Sequence, residues 1–104
     1  MPQVFKIGPW LVYFWLNESK PLEPVHVHVA QKKPEKDATK IWITKAGGAV
    51  LCHNKSMIPM PTLRNIIDLV AFRSDYIVEC WTQKFGECRF YGWHDRLHAR
   101  CRNG

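Results

Sequence analysis

Two histidines, His26 and His28, are the residues whose type and spacing most directly suggest chemistry in this sequence. Residues two apart on a β-strand project from the same face, so the two imidazoles would lie side by side and could offer two nitrogen ligands to one metal ion. A zinc or iron centre needs further ligands, which Glu18, Glu23 or His53 supply only if the fold brings them close. Without such a ligand, the pattern favours half-exposed imidazoles that stack on their neighbours.

A second set of metal-ligating residues lies near the C-terminus, spaced C-x5-H-x3-H-x2-C. It consists of Cys88, His94, His98 and Cys101. Two thiolates and two imidazoles suit tetrahedral zinc, which would fold a segment of low apolar content. The spacing matches no zinc motif familiar to us, and the arginines within it are typical of a basic tail. Zinc is therefore one hypothesis for this segment and a disordered or loosely docked tail is the alternative; no other cofactor is indicated.

An enzymatic interpretation would depend on His26, His28 and Glu23. They could act as acid, base and orienting group in a ribonuclease-like toxin, since imidazole titrates near neutral pH. The sequence has no nucleophile motif and no phosphate-binding loop. The sequence therefore favours a protein without enzymatic activity but does not decide the point.

The strand alternation gathers aromatic, imidazole and lysine side chains on one side of a sheet, which we call the outer face. Its predicted members are Tyr13, Trp15, His26, His28, Lys40 and Trp42. Nucleobases stack on such rings while lysines meet phosphates, and the net charge of +6 suits a nucleic acid. Large aromatic patches more often mark protein interfaces. The alternative is that Trp15 or Trp42 belongs to the core, covered by the tail or by a second subunit.

The elements that must position these residues can be predicted from apolar alternation and turn signals. Strands are predicted over residues 4–7, 10–16, 25–29, 39–44 and 49–52, the first two forming a hairpin around Gly8 and Pro9. The run at 25–29 alternates strictly, with valines on one face and histidines on the other. The fifth strand is the least marked, so the sequence predicts an antiparallel meander of four to five strands.

A helical segment should follow, beginning near Pro61 or Thr62 and ending at a C-cap, Gly86. Its apolar stripe comprises Leu63, Ile66, Ile67, Val70, Ile77, Val78, Trp81 and Phe85. Ser74 and Asp75 could cap a second helix, so one kinked helix and two successive helices are both consistent with the pattern. The predicted fold is α+β, with the helical segment covering the valine face of the sheet.

Length and composition set the remaining limits. With 104 residues, 46% of them hydrophobic, the chain should form one core, which we place at residues 1–86 with a basic tail at 87–104. The longest apolar run has seven residues, against roughly twenty for a membrane span. No secretory signal is visible, which predicts a cytoplasmic protein with no membrane association, whose four cysteines are free thiols unless a metal binds them.

Three motifs together resemble a known family. Residues 1–8 read M-P-x-V-F-x-I-G, residues 23–29 read E-P-x-H-V-H-V and residues 38–43 read A-x-K-I-W-I. Over residues 1–86 the chain resembles the small bacterial family known as the domain-of-unknown-function 4160 family. The resemblance implies a bacterial cytoplasmic protein, often encoded beside another short protein in a pattern similar to toxin–antitoxin or other two-gene modules. It implies a protein partner and no reaction.

These observations lead to one principal hypothesis and two alternatives. The principal hypothesis is a non-enzymatic accessory protein that binds the product of a neighbouring gene through the outer face. The first alternative is a basic nucleic-acid-binding protein that uses the same face. The second is the histidine-dependent ribonuclease-like toxin.

Overall fold

The computed structural model describes residues 3–15 and 23–91. Its elements are the strands β1 (Gln3–Ile7), β2 (Trp10–Tyr13), β3 (His26–Gln31), β4 (Thr39–Ile43) and β5 (Ala49–His53), followed by the helices α1 (Met60–Phe72) and α2 (Ser74–Phe85). The strands form one antiparallel sheet in the order β1-β2-β3-β4-β5. The predicted α+β fold is confirmed, with five strands and two separate helices in the part of the chain that the structure describes.

The first hairpin shows how local sequence fixes strand register. Ile7 is opposite Trp10, so only Gly8 and Pro9 form the turn. Gly8 has a positive φ of 58°, and proline holds φ near −65°, a combination that matches a type II′ turn. This turn type suits the right-handed twist of the two strands.

The break between the helices lies at Arg73, whose backbone N–H contacts the carbonyl oxygens of Leu69 and Val70. Ser74 does not cap α2 with its side chain. It is buried instead, and its hydroxyl donates to the carbonyl oxygen of Gly47 at 3.1 Å, which ties the helix junction to the turn between β4 and β5. The C-cap prediction is confirmed, since Gly86 has a φ of 82°.

One core fills the space between the sheet and the helices. Val25, Val27 and Val29 are fully buried against it. The same core includes Ile41 and Ile43 from the neighbouring strand β4 and, from the two helices, Leu63, Ile66, Val70, Ile77 and Trp81. Each such side chain contributes about 1.5–3 kcal/mol by leaving water. Within the described ranges, neither helix is long and apolar enough to cross a membrane.

Residues beyond Gly86, where the predicted domain ends, also pack against the core. Cys88 and Phe90 are buried within the same core. The carbonyl oxygen of Arg89 accepts a hydrogen bond from the backbone N–H of Val25 at 2.8 Å. Residues 87–91 therefore pack on the sheet, while residues 92–104 lie outside the described part of the chain.

Candidate functional site

The structure brings the six predicted outer-face residues together around β3. Tyr13 and Lys40 are the cross-strand neighbours of His28, and His26 is opposite Trp42. Trp15 follows β2, with its ring centroid 5.3 Å from that of Tyr13 and 6.4 Å from that of His28. The strand pairing places Tyr13, His28 and Lys40 next to one another on one side of the sheet, with His26 and Trp42 beside them.

The prediction that the imidazoles face water is wrong. His26 and Tyr13 have no exposed surface and His28 is 8% exposed, while Trp15, Lys40 and Trp42 are half-buried. The face is therefore a second packed layer of the protein.

Two segments cover this layer. The connection between β3 and β4 folds over one end, where the Tyr13 hydroxyl donates to the carbonyl oxygen of Glu35 at 3.1 Å and lies 3.0 Å from the Glu35 backbone nitrogen, which donates to it. At the other end, Tyr91 stacks on Trp42 with ring centroids 4.6 Å apart and planes 5° from parallel. The connection between β3 and β4 thus covers part of the sheet.

His26 lies among rings. Its centroid is 5.0 Å from that of His28, 5.5 Å from that of Trp42 and 5.2 Å from that of Trp81. Its Nδ1 is 2.8 Å from the carbonyl oxygen of Pro24, so the proton of the neutral ring is best placed on that nitrogen. These contacts make His26 a link between the outer layer and α2.

Glu23, the predicted orienting group, interacts with Lys40 instead. The Lys40 ammonium lies 2.8 Å from the Glu23 carboxylate and 4.4 Å from the centre of the Trp42 ring. His53 lies opposite Lys40 on β5, and its pKa is lowered by burial and by the positive charges of Lys55 and Lys40. Positive charge beside an imidazole disfavours its protonation.

No metal centre forms within residues 3–15 and 23–91, where no three His, Cys, Asp or Glu side chains are grouped for a metal ion. Neither Glu23 nor His53 therefore completes a site with the histidine pair, and Glu18 lies outside the described residues. Of the predicted zinc ligands, only Cys88 is described, since His94, His98 and Cys101 lie beyond residue 91.

The thiol prediction is right in part. Cys52 and Cys80 are free. Cys88 is disulfide-bonded, so the expectation of a free thiol is wrong there, and in this state its sulfur is no thiolate ligand for zinc.

Sequence analysis missed an exposed apolar surface at the helix junction, which we call the helical patch: Leu69, Phe72 and Tyr76. Their exposed fractions are 43%, 83% and 45%. The Arg73 guanidinium lies between aromatic rings, 4.9 Å from the centre of Phe5 and 5.8 Å from the centre of Tyr76. The three patch residues are apolar, recur three and four positions apart and fall outside the apolar stripe that packs into the core. This spacing was the signal in the sequence from which a second, exposed apolar surface could have been predicted.

A groove of about 310 Å³ lies beside the helical patch, between the edge of the sheet and the end of α1. It is lined by Phe5, Lys6, Ile7, Gly8, Leu69 and Arg73. Arg73 adds a cationic side chain to this apolar lining, while the side chain of Lys6, which lies between Phe5 and Ile7 on β1, points to the other face of the sheet edge. Such a lining suits a ligand that is both apolar and negatively charged.

The family comparison agrees with the resemblance inferred from the motifs. A family model described as "Domain of unknown function (DUF4160)" matches residues 10–82, from β2 to the last turns of α2. No curated protein and no solved structure gives a significant match. The matched span includes the whole of β3 with its two histidines.

Proposed function

Because the chain belongs to the domain-of-unknown-function 4160 family, which brings no activity with it, we propose a function from its surface: a non-enzymatic protein-binding component of a bacterial two-gene, toxin–antitoxin-like module. The partner is the product of the neighbouring gene. The part of the surface that supports this role is the helical patch, in place of the outer face.

The observation that carries the proposal is the exposure of Phe72, 83% of whose surface meets solvent at the end of α1. Burying a phenylalanine side chain contributes about 1.5–3 kcal/mol, so an exposed ring forgoes a large part of that stabilisation in the isolated protein. Leu69 and Tyr76 extend the exposed area on both sides. Contiguous apolar surface of this kind is typical of protein interaction sites, and aromatic and arginine side chains are enriched among the residues that dominate binding.

The two alternatives have less support, because both need the outer face to be accessible. A base-stacking surface requires open rings, whereas Tyr13 is fully buried and Trp42 is already stacked on Tyr91. A ribonuclease would need His26 and His28 to contact RNA, and their exposed fractions are 0% and 8%. The net charge of +6 remains compatible with an acidic protein partner.

The test is co-expression of the protein with the tagged product of the neighbouring gene, using Phe72→Asn as the variant. We expect the wild type to co-purify and Phe72→Asn to weaken binding about tenfold or more, because aromatic anchors at interfaces are worth about 2 kcal/mol or more. Met57→Asn is the matched control, since Met57 is also 83% exposed and lies outside the helical patch. Affinity is measured by titration calorimetry on the purified pair.

Equal affinities for the two variants would overturn the assignment of the interface to the helical patch. Failure of the neighbouring product to bind the wild type would overturn the proposed function. Should Phe72→Asn instead convert an oligomer of the purified protein into a monomer, the patch would be a self-association surface and the proposal would be wrong.

A further inference from the structure

We propose that the partner binds through an extended acidic segment that lies along the free edge of β1 and inserts an apolar side chain into the adjacent groove. This inference rests on the proposed function and specifies the chemistry of the partner. It assigns a binding role to Lys6, which lies outside the residues matched by the family model, and to Arg73, which lies within them.

Strand β1 lies at the edge of the sheet. Its partner is β2, and no further strand pairs with it among the described residues. The two-residue turn makes Ile7 and Trp10 a hydrogen-bonded pair, so the backbone N–H and C=O of the next residue, Lys6, point away from β2. These groups can accept an added strand, the mode by which many domains bind extended peptides.

The groove lies directly beside that edge. Phe5 and Ile7 are opposite Val12 and Trp10, which places both on the helix-covered side of the sheet, facing Leu69 across the groove. Side chains of an added strand alternate between the two faces, so every second one would point into the groove. Its volume of about 310 Å³ is ample for a leucine or phenylalanine side chain.

Charge also favours an acidic segment. Of the six lining residues, Lys6 and Arg73 are cationic and none is acidic. Arg73 lies over Phe5 on the groove side, and alternation places the Lys6 side chain on the opposite face of the same edge, so an added strand would meet a cation on each side. Both are exposed, and neither forms an ion pair within the described part of the chain. Arg73 is held over Phe5 at 4.9 Å, so its guanidinium is already oriented for a carboxylate that approaches along β1.

The same charges argue against a second copy of this chain as the occupant. Edge lysines and bulges are features that discourage a sheet from pairing with itself, and β1 has both Lys6 and an irregularity between Gln3 and Phe5. Two chains of net charge +6 would also repel each other at this edge. An acidic segment turns that repulsion into attraction, which gives selectivity as well as affinity.

The experiment uses three synthetic peptides of equal length, each with one central leucine flanked on both sides by glutamate, serine or lysine residues, so that these side chains reach both faces of an added strand. Binding to the full chain is measured by fluorescence anisotropy at low and high salt. We expect the glutamate peptide to bind more tightly than the serine peptide, the lysine peptide not to bind, and salt to weaken binding of the glutamate peptide. Arg73→Glu and Lys6→Glu should each weaken binding of the glutamate peptide by roughly tenfold.

Arg64→Glu is the matched control, because Arg64 is an exposed arginine of α1 that does not line the groove. It changes the net charge by the same amount as Arg73→Glu and should leave binding nearly unchanged. Equal losses for the two variants would show a general charge effect and overturn the site, as would equal binding of the glutamate and serine peptides.

The outcome is separable from that of the proposed function. If the neighbouring product binds and its affinity falls with Phe72→Asn but not with Arg73→Glu, the helical patch is the interface and the acidic-segment inference is wrong. If the glutamate peptide binds at Arg73 while the neighbouring gene product does not bind at all, the acidic-segment site is supported and the proposed two-gene function is wrong.

Discussion

His26 and Trp42 face each other across β3 and β4, with ring centroids 5.5 Å apart and planes at 78°. This edge-to-face arrangement packs the imidazole against an indole that is covered in turn by Tyr91. Aromatic pairs of this kind add about 0.5–1.5 kcal/mol beyond the area they bury. The histidine that looked like a ligand or a catalyst is therefore part of the packing that holds the C-terminal segment against the sheet.

The first prediction concerns the stability of His26→Ala. Because His26 is fully buried among three rings, its removal should leave a cavity and lower the free energy of unfolding by about 2–4 kcal/mol. The measurement is urea denaturation followed by circular dichroism. His53→Ala is the control, since His53 is only partly buried on the edge strand β5 and should cost less than about 1 kcal/mol. A loss for His26→Ala no larger than that of the control would show that the imidazole is open to water.

The second prediction concerns the end of the folded domain. Phe90 is 8% exposed and belongs to the main core, so Phe90→Ala should lower the free energy of unfolding by about 2–4 kcal/mol. The neighbouring variant Arg89→Ala removes an exposed side chain and keeps the carbonyl that bonds Val25, so it should cost less than about 0.5 kcal/mol. Similar small values for both variants would place the end of the domain at Gly86, as the sequence suggested.

The fold could be predicted because its signals are local. Strict alternation at 25–29 placed the valines on one face, and the Gly8-Pro9 pair marked the first turn. The helix boundary at Arg73 could not be decided, because no side chain caps α2 and the break is fixed by the tertiary contact between Ser74 and Gly47.

The environment of the outer face depends on contacts distant in sequence, which alternation does not report. Tyr13 is covered because Glu35, twenty-two positions later, returns to bind its hydroxyl. Trp42 is covered by Tyr91 through a segment that lacks any regular pattern. Periodicity therefore identifies the two faces of a strand but cannot show whether a second layer covers the outer one.

The third prediction concerns the connection between β5 and α1, which a hydrogen-bond network holds in place. The Asn54 side-chain oxygen accepts from the Thr39 hydroxyl at 2.7 Å and from the Ile58 backbone N–H at 3.0 Å, and its amide donates to the Ile58 carbonyl at 2.9 Å. Asn54→Ala removes all three bonds beside the fully buried Thr39, so we expect a loss of about 2–3 kcal/mol in the free energy of unfolding.

Asn65→Ala is the control for this network, because Asn65 is exposed on α1 and alanine favours the helix. It should leave stability unchanged or slightly higher in the same urea titration. If Asn54→Ala unfolds at the same urea concentration as the wild type, the network contributes nothing to the fold.

The fourth prediction concerns the titration of His53. Burial lowers its pKa most, the positive charges of Lys55 and Lys40 and the neighbouring His28 lower it further, and Asp37 opposes them. The pKa in the folded protein should therefore lie below the ordinary value of 6.5. The unfolded chain then binds a proton at His53 more readily than the folded protein does. The stability that His53 contributes is therefore fully present above pH 6.5. It is lost as the pH falls from 6.5 toward the lower pKa of the folded protein.

The measurement is an NMR titration of the histidine ring protons, with the His53 signal assigned by its loss in His53→Ala. Lys55→Gln removes the positive charge that lowers the His53 pKa most and should raise the His53 midpoint without returning it to the ordinary value, because burial and the backbone N–H of Lys55, which donates to Nδ1 at 3.4 Å, both remain. Lys33→Gln, an equal change in net charge on the connection after β3, should leave the midpoint in place. A wild-type midpoint at or above 6.5 would contradict the lowered pKa. Equal shifts for the two lysine variants would show that His53 responds to the overall charge of the protein and not to its own surroundings on β5.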